Sequence, residues 1–483
     1  MTAIATRRSF LLPELVALII AAGRDNDKFL YTCLFVNRLF FRESCKLMWQ
    51  ECNTYGVLVS IGHLVQLSKR DEQRAQIYAN FIQVLDFDAP EGSDASNLEA
   101  EWHEDLACLQ FPLLREVIIR RFNHCDAVIR YAQPTLRVFS LWPASQLSDA
   151  FLDQLGQQSP RLVNLSLGQS TDSTVTEAGV VRLLQSLRAI RHLTLSPEFD
   201  QVWSREAFCA VSKYTYLESL DIPVILDEWI EDLFPIRGFH HLKYLSTNIS
   251  NDALRLLAPC IPSLVHAHID FRPPCMSISE VANLKSITDL HLSFPHGSRF
   301  SGHALLSISR YCPALEVVTL AEHSDNHPEA TGLNDSLVDQ IAMHLQNIRI
   351  LSLNMGTETP LTLRSVRSLS KHCLELRKLV LSSFFISWEE VEGRAEDDVI
   401  STRMKSMRLK LHGDQQLLQY DGTQDRVNGE HIDKLARNFL GFFPSLGPIY
   451  LGGGGDGERQ FMKRFFLARQ RLRGINYLSM FNL

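Results

Sequence analysis

Two stretches sixty-one residues apart follow one pattern: "YCPALEVVTL", Tyr311 to Leu320, and "HCLELRKLVL", His372 to Leu381. Each has a cysteine with apolar residues three, six and eight places further on. Those three apolar positions make an L-x-x-L-x-L hexad. Its fourth and sixth residues share one side of an extended chain, because side chains alternate along a strand. The hexad recurs as Leu114-Val117-Ile119, Leu136-Phe139-Leu141, Leu162-Leu165-Leu167, Ile190-Leu193-Leu195, Leu217-Leu220-Ile222 and Leu242-Leu245-Thr247. It continues as Leu264-Ala267-Ile269, Ile287-Leu290-Leu292, Leu315-Val318-Leu320, Ile348-Leu351-Leu353 and Leu376-Leu379-Leu381, with starts 22 to 33 residues apart. Eleven unrelated strands would not keep that rhythm, so the chain is a tandem repeat.

Between hexads lie helical patterns such as "TEAGVVRLLQSL", "SNDALRLLAPC", "SGHALLSISRYC" and "NDSLVDQIAMHL". Several open on Ser, Thr or Asn, whose side chains accept hydrogen bonds from free amides at a helix start. One short strand and one helix per period resembles the leucine-rich repeat, from Leu113 to about Ser383. The resemblance implies an α/β solenoid with a parallel concave sheet and convex helices. A single strand–helix unit cannot bury its apolar edge alone, but neighbouring units cover one another. Fourth and sixth hexad positions then point inward, and third, fifth and seventh positions face the open sheet surface. The Asn this family carries at the turn after the strand is mostly missing, so irregular turns are expected.

The repeat array is expected over residues 111–383, with residues 384–483 holding an acidic loop, degenerate repeats and a C-terminal cap. The acidic loop is "WEEVEGRAEDD", Trp388 to Asp398; weaker hexads return at Met404-Met407-Leu409 and Leu446-Ile449-Leu451, with a helix-like "GEHIDKLARNFLGFF" between them. The final "ERQFMKRFFLARQRL" is basic and amphipathic and suits an end cap.

Over 483 residues, hydrophobic side chains at 45% and charged ones at 21% match a globular protein, and a net charge of −7 gives no general attraction to nucleic acid or anionic membrane. The ten cysteines are scattered singly without a C-x-x-C, which argues against a disulfide framework and for a reducing compartment, cytoplasmic or nuclear. "RRSFLLPELVALIIAAG" has the outline of a signal peptide, but Pro13 and Glu14 interrupt its apolar run. No membrane span is expected.

Residues 9–55 carry no hexad and read as wholly helical. Pro13 is tolerated in a first helical turn, and Leu12, Leu15 and Ile19 share one face. In the next segment Leu30, Cys33, Val36, Phe40 and Leu47 are the apolar positions. Short helices of this size bury little surface, so a partner would steady them. Leu12-Pro13-Glu14-Leu15, Ile19, then Cys33-x-x-Val36-Asn37-Arg38-x-Phe40, ending near Leu47 and Trp49, resembles an F-box. That family docks on the small adaptor of cullin–RING (SCF-type) ubiquitin ligases. The resemblance implies adaptor binding through Leu12, Pro13, Leu15, Ile19, Cys33, Val36, Phe40 and Trp49. The plainer alternative is a helical cap closing the first repeat. Residues 56–110 are expected as a helical connector with an acidic loop at 86–105, where eight acidic residues stand without Lys or Arg.

On the concave face the outward positions include Trp142, Asn164, His192, Asp221, Tyr244, His266, His268, Asp270, Asp289 and His291. His268 and His291 occupy the same register on adjacent strands, roughly 5 Å apart, with Asp270 and Asp289 nearby. This cluster can be a partner-recognition patch, ordinary solvated surface, or a metal site. An open sheet does not gather further ligands as a barrel mouth does, so no metal is expected. The glycine tract "YLGGGGDGERQF", Tyr450 to Phe461, lacks the Gly-Lys-Ser/Thr of a phosphate loop, and no hydrolase or zinc motif occurs. Asn-x-Ser at Asn164, Asn248 and Asn334 matches chance frequency.

The expectation is therefore a non-catalytic receptor without cofactor, binding the adaptor and through it a cullin at one end, and a protein substrate on its repeats. The alternative is a leucine-rich-repeat interaction scaffold with no ligase role.

Overall fold

The computed structural model describes residues 12–54, 59–87, 96–122, 125–144, 147–169, 173–231, 239–273, 275, 277–321, 328–385, 390–391, 393, 399–401, 403–411, 434, 437–443, 445 and 449–452. The chain divides into two compact units, residues 1–224 with 236–239, and residues 225–235 with 240–483.

The first unit begins with three helices, α1 (Pro13–Ala22), α2 (Asp27–Cys33) and α3 (Arg38–Met48). Asn26 and Asn37 cap α2 and α3 by accepting amide hydrogen bonds. A parallel ladder follows: β1 (Glu51–Asn53), β2 (Val84–Phe87), β3 (Glu116–Phe122), β4 (Val138–Ala144), β5 (Asn164–Gln169), β6 (His192–Leu195) and β7 (Ser219–Ile225), each paired with the next. In the second unit the ladder runs β8 (Tyr244–Ile249), β9 (His266–Phe271), β10 (Asp289–Ser293), β12 (Val317–Leu320), β14 (Ile350–Leu353), β16 (Lys378–Phe384), β17 (Ser406–Leu411) and β18 (Ile449–Gly452). A second sheet that the hexads do not announce joins β11 (Arg299–Ser301), β13 (Glu329–Thr331) and β15 (Gly356–Thr357).

Within each unit, parallel strands that follow in sequence order, with helices among their crossovers, make the chain a leucine-rich-repeat solenoid. Register follows the hexads: Leu165 pairs with Phe139 and Leu193, and Leu290 with Ala267 and Val318. First, fourth and sixth positions are buried in every hexad from Leu114 to Leu409, Thr247 among them. Third and fifth positions on β8, β9 and β10 alternate with them on the open face. The expected caps are in place: Thr176, Ser250, Ser301 and Asn334 each accept an amide hydrogen bond at their helix start.

The opening echo has a physical cause. Three residues before the hexad, Cys312 Sγ donates to Leu284 O at 3.4 Å and Cys373 Sγ to Ala342 O at 3.6 Å, both carbonyls of the preceding repeat. Tyr214 does the same, its hydroxyl donating to Leu184 O at 2.6 Å. Burial pushes both thiols up to about 12, so they stay protonated as donors. Among the described residues the missing turn Asn has a counterpart in Asn354, whose Nδ2 donates to Ala321 O at 2.8 Å and whose Oδ1 accepts from Ser382. Ala321 there holds a left-handed backbone, φ 54°.

The ladder starts earlier than residue 111. Trp49-Cys52-Thr54 and Ile82-Leu85-Phe87 keep the hexad spacing and are buried, with β1 and β2 as their strands. Residues 9–55 are therefore not wholly helical, and the 56–110 connector contains a repeat strand. Of the 86–105 loop, Asp86 and Phe87 belong to β2 and Ser96–Asp105 is a helix that buries His103 in its last turn, while residues 88–95 lie outside the described residues. Past 383, Met404, Met407 and Leu409 are buried and β17 and β18 extend the ladder. Most of the 388–398 acidic stretch, the glycine tract beyond Gly452 and the basic terminal segment lie outside the described residues.

Candidate functional sites

The N-terminal helices pack around Val16, Ile20, Leu30 and Cys33, with Phe29, Leu39, Phe40, Leu47 and Met48 against them. α1 is apolar nearly all round, since Glu14 is its one charged residue. Packing two of its positions, Val16 and Ile20, leaves the others in water. Eight of the seventeen exposed large apolar side chains among the described residues fall in this short stretch: Leu12, Leu15, Leu18, Ile19, Tyr31, Phe35, Val36 and Phe41. Phe35 is 73% exposed and Leu18 66%. Such a concentration on one small module marks an interaction surface.

The residues expected to touch an adaptor divide accordingly. Leu12, Pro13, Leu15, Ile19 and Val36 are exposed, and Phe40 is half-buried. Cys33 is 4% exposed inside the module core. Trp49 is 8% exposed, stacked on Tyr78 at 4.7 Å between ring centroids. Trp49 is the first position of a hexad, so it fastens the helical module to the first repeat and presents no docking face. Leu18, Tyr31, Phe35 and Phe41 were missed by motif spacing. Their signal was apolar residues in excess of what three short helices can bury.

The open face of the second unit carries the histidine cluster in rungs. Tyr244, His266 and Asp289 share one rung, Ser246, His268 and His291 the next, and Asn248, Asp270 and Ser293 the third. His266 Nδ1 lies 2.9 Å from Asp289 Oδ2, which also accepts from the Thr288 hydroxyl. The rings of His268 and His291 are 5.9 Å apart, and His268 Nε2 is 3.8 Å from Asp270 Oδ1. The two expected neighbours, His268 and His291, thus stand side by side, while Asp289 pairs with His266. No group of metal-ligating side chains fit for an ion occurs among the described residues. The surface offers exposed imidazoles and carboxylates on rigid strands, which suits partner contact. In the first unit, Trp142 stands exposed on β4 opposite Arg120 of β3, and Asn164 and His192 share a rung of β5 and β6. Asp221 is half-buried on β7.

A buried imidazole sits beneath the first unit's sheet. His103 lies over Phe87 with ring centroids 4.3 Å apart, and a 3.0 Å hydrogen bond joins its Nδ1 to the Tyr131 hydroxyl. Burial, and secondarily the Arg130 charge, pushes its pKa down to about 3. In the unfolded chain it takes up a proton near the ordinary 6.5. The unfolded state therefore binds more protons between those values, and stability is complete above 6.5 and falls as pH drops. Acidification from pH 7 to 5 should cost the first unit about 2 kcal/mol through this residue. Urea midpoints at the two pH values should converge in His103→Gln.

No known family profile matches the sequence, and no curated protein matches it. Solved structures do. The Rad7–Elc1 complex of yeast aligns at 15% identity and TM-score 0.36, over 64% of this chain and 79% of that one. The leucine-rich-repeat ectodomain of a plant membrane receptor kinase from Arabidopsis thaliana aligns at 13% and 0.35, over 78% of this chain and 48% of that one. A leucine-rich-repeat protein of Leptospira interrogans aligns at 13% and 0.32, over 63% and 86%. The fold assignment rests on the strand ladder itself.

Proposed function

We propose that the chain is a non-catalytic substrate receptor of a cullin–RING ubiquitin ligase, held by the ligase adaptor at its N-terminal helices and holding a protein substrate on its repeats. The observation that carries this reading is the apolar surface left uncovered on α1 and around Val36. Those positions coincide with Leu12, Pro13, Leu15, Ile19 and Val36 of the F-box-like pattern. A docked adaptor would cover that surface. Mechanistically the receptor supplies proximity, raising the effective concentration of a substrate lysine near a thioester carried by another subunit. Ten free cysteines fit a reducing compartment, cytoplasmic or nuclear. No helix of the described residues is long and apolar enough to cross a membrane.

One observation favours a plain repeat scaffold with no ligase role: Trp49 belongs to the first hexad, as a helical cap on a solenoid end requires. Purifying the full chain with the adaptor present separates the two. The receptor reading expects a stable complex. Failure to recover adaptor where established F-box proteins do so overturns it. A deletion comparison should remove residues 12–48 and stop there, because Glu51–Asn53 is a ladder strand.

A further inference from the structure

The residue just before each strand, second in its hexad, forms a ladder of its own along the sheet edge. In the first unit it runs Gln83, Arg115, Arg137, Val163, Arg191 and Glu218, each amide after the first donating to the carbonyl before it at 2.7–2.8 Å. Side chains on neighbouring rungs reach one another. Arg191 Nη1 is 3.2 Å from Glu218 Oε1, and in the second unit Arg349 Nη1 is 3.0 Å from Glu316 Oε2. At those rungs an arginine is answered by a glutamate next door.

Arg115 and Arg137 break this rule. They are adjacent, both exposed, and flanked by exposed Arg161, whose carbonyl accepts from Arg137 Nη1 at 3.3 Å. Among the described residues no carboxylate pairs with any of these three guanidinium groups. The two side chains leave backbones about one strand spacing apart, roughly 4.8 Å, so their like charges repel, and an arriving counter-charge relieves that repulsion.

We infer that this edge docks an acidic segment of a partner protein. Guanidinium forks match carboxylates in bidentate geometry. The backbone amides of Arg115, Arg137 and Val163 are already used in the ladder, so the edge has no amide cradle for a single phosphate. It supplies spread side-chain charge, which suits several carboxylates along a chain. Exposed Leu113, two residues before Arg115, adds an apolar contact. The chain's net charge of −7 disfavours a long polyanion such as nucleic acid while leaving this local field intact. The inference is independent of the role given to the N-terminal helices.

The test is fluorescence anisotropy of a short fluorescein-labelled Glu-rich peptide with the full chain at low salt. R115E/R137E should weaken binding about tenfold or more, and added salt should weaken wild-type binding. R115Q/R137Q, which keeps hydrogen-bonding side chains, should give an intermediate loss with an unchanged melting temperature. Arg349→Ala should leave binding unchanged, because that guanidinium is already paired with Glu316. Absence of wild-type binding overturns the proposal, as does R115E/R137E binding like wild type. Tighter Arg115/Arg137-dependent binding of a single-stranded oligonucleotide or of a phosphoserine peptide overturns the choice of partner.

Discussion

Leu15→Asp combined with Val36→Asp should remove adaptor capture by the full chain while shifting its melting temperature by only about 1–2 °C. Both side chains are exposed, 44% and 55%, so their replacement leaves the core around Val16, Ile20, Leu30 and Cys33 intact. At the centre of an interface, however, each substitution desolvates a carboxylate without a partner, a loss of roughly 100-fold or more in affinity. Ile20→Asp gives the opposite pattern. It buries an unpaired charge in the module core and should unfold α1–α3 before any binding is assayed. Thermal melting and adaptor titration of the two variants side by side separate a docking face from a packing face. A double variant that still captures adaptor normally would show that the exposed surface serves something else.

Leu193→Ala should destabilise the first unit by about 3 kcal/mol, whereas His192→Ala next to it should change stability by less than about 0.5 kcal/mol. Leu193 is the fourth position of its hexad, fully buried between Leu165 of β5 and Leu220 of β7. Its truncation leaves a cavity that both neighbouring repeats line. His192 faces the open side of the same strand. Because each repeat is stabilised through its neighbours, faster hydrogen exchange in the leucine variant should spread into β5 and β7. Equal losses for the two variants would contradict the alternation on which the fold reading depends.

The regular hexads from Leu114 to Leu381 were legible because Leu, Ile and Val at fixed spacing stand out against polar neighbours. Trp49-Cys52-Thr54 and Ile82-Leu85-Phe87 keep the same spacing and are buried too, yet cysteine, threonine and an aromatic residue hide the first strand inside an apparently helical segment. With that strand hidden, Trp49 reads as one of the residues expected to touch an adaptor, whereas it packs on Tyr78 as the first position of the first hexad. α1 shows a different limit. When a helix is apolar on every side, sequence periodicity does not say which side packs, and only the contacts with Leu30 and Cys33 select Val16 and Ile20. The strand pairs of the second sheet, such as Phe300 with Ala330, are too short to leave a pattern of their own.

Hydrogen exchange of the full chain, with and without the adaptor, tests the central claim most directly. Protection gained on binding should be confined to residues 12–48, with the strands β1–β18 unchanged. Protection over the repeat strands instead, or none at any saturating adaptor concentration, would contradict the assignment of the N-terminal helices as the ligase-docking surface.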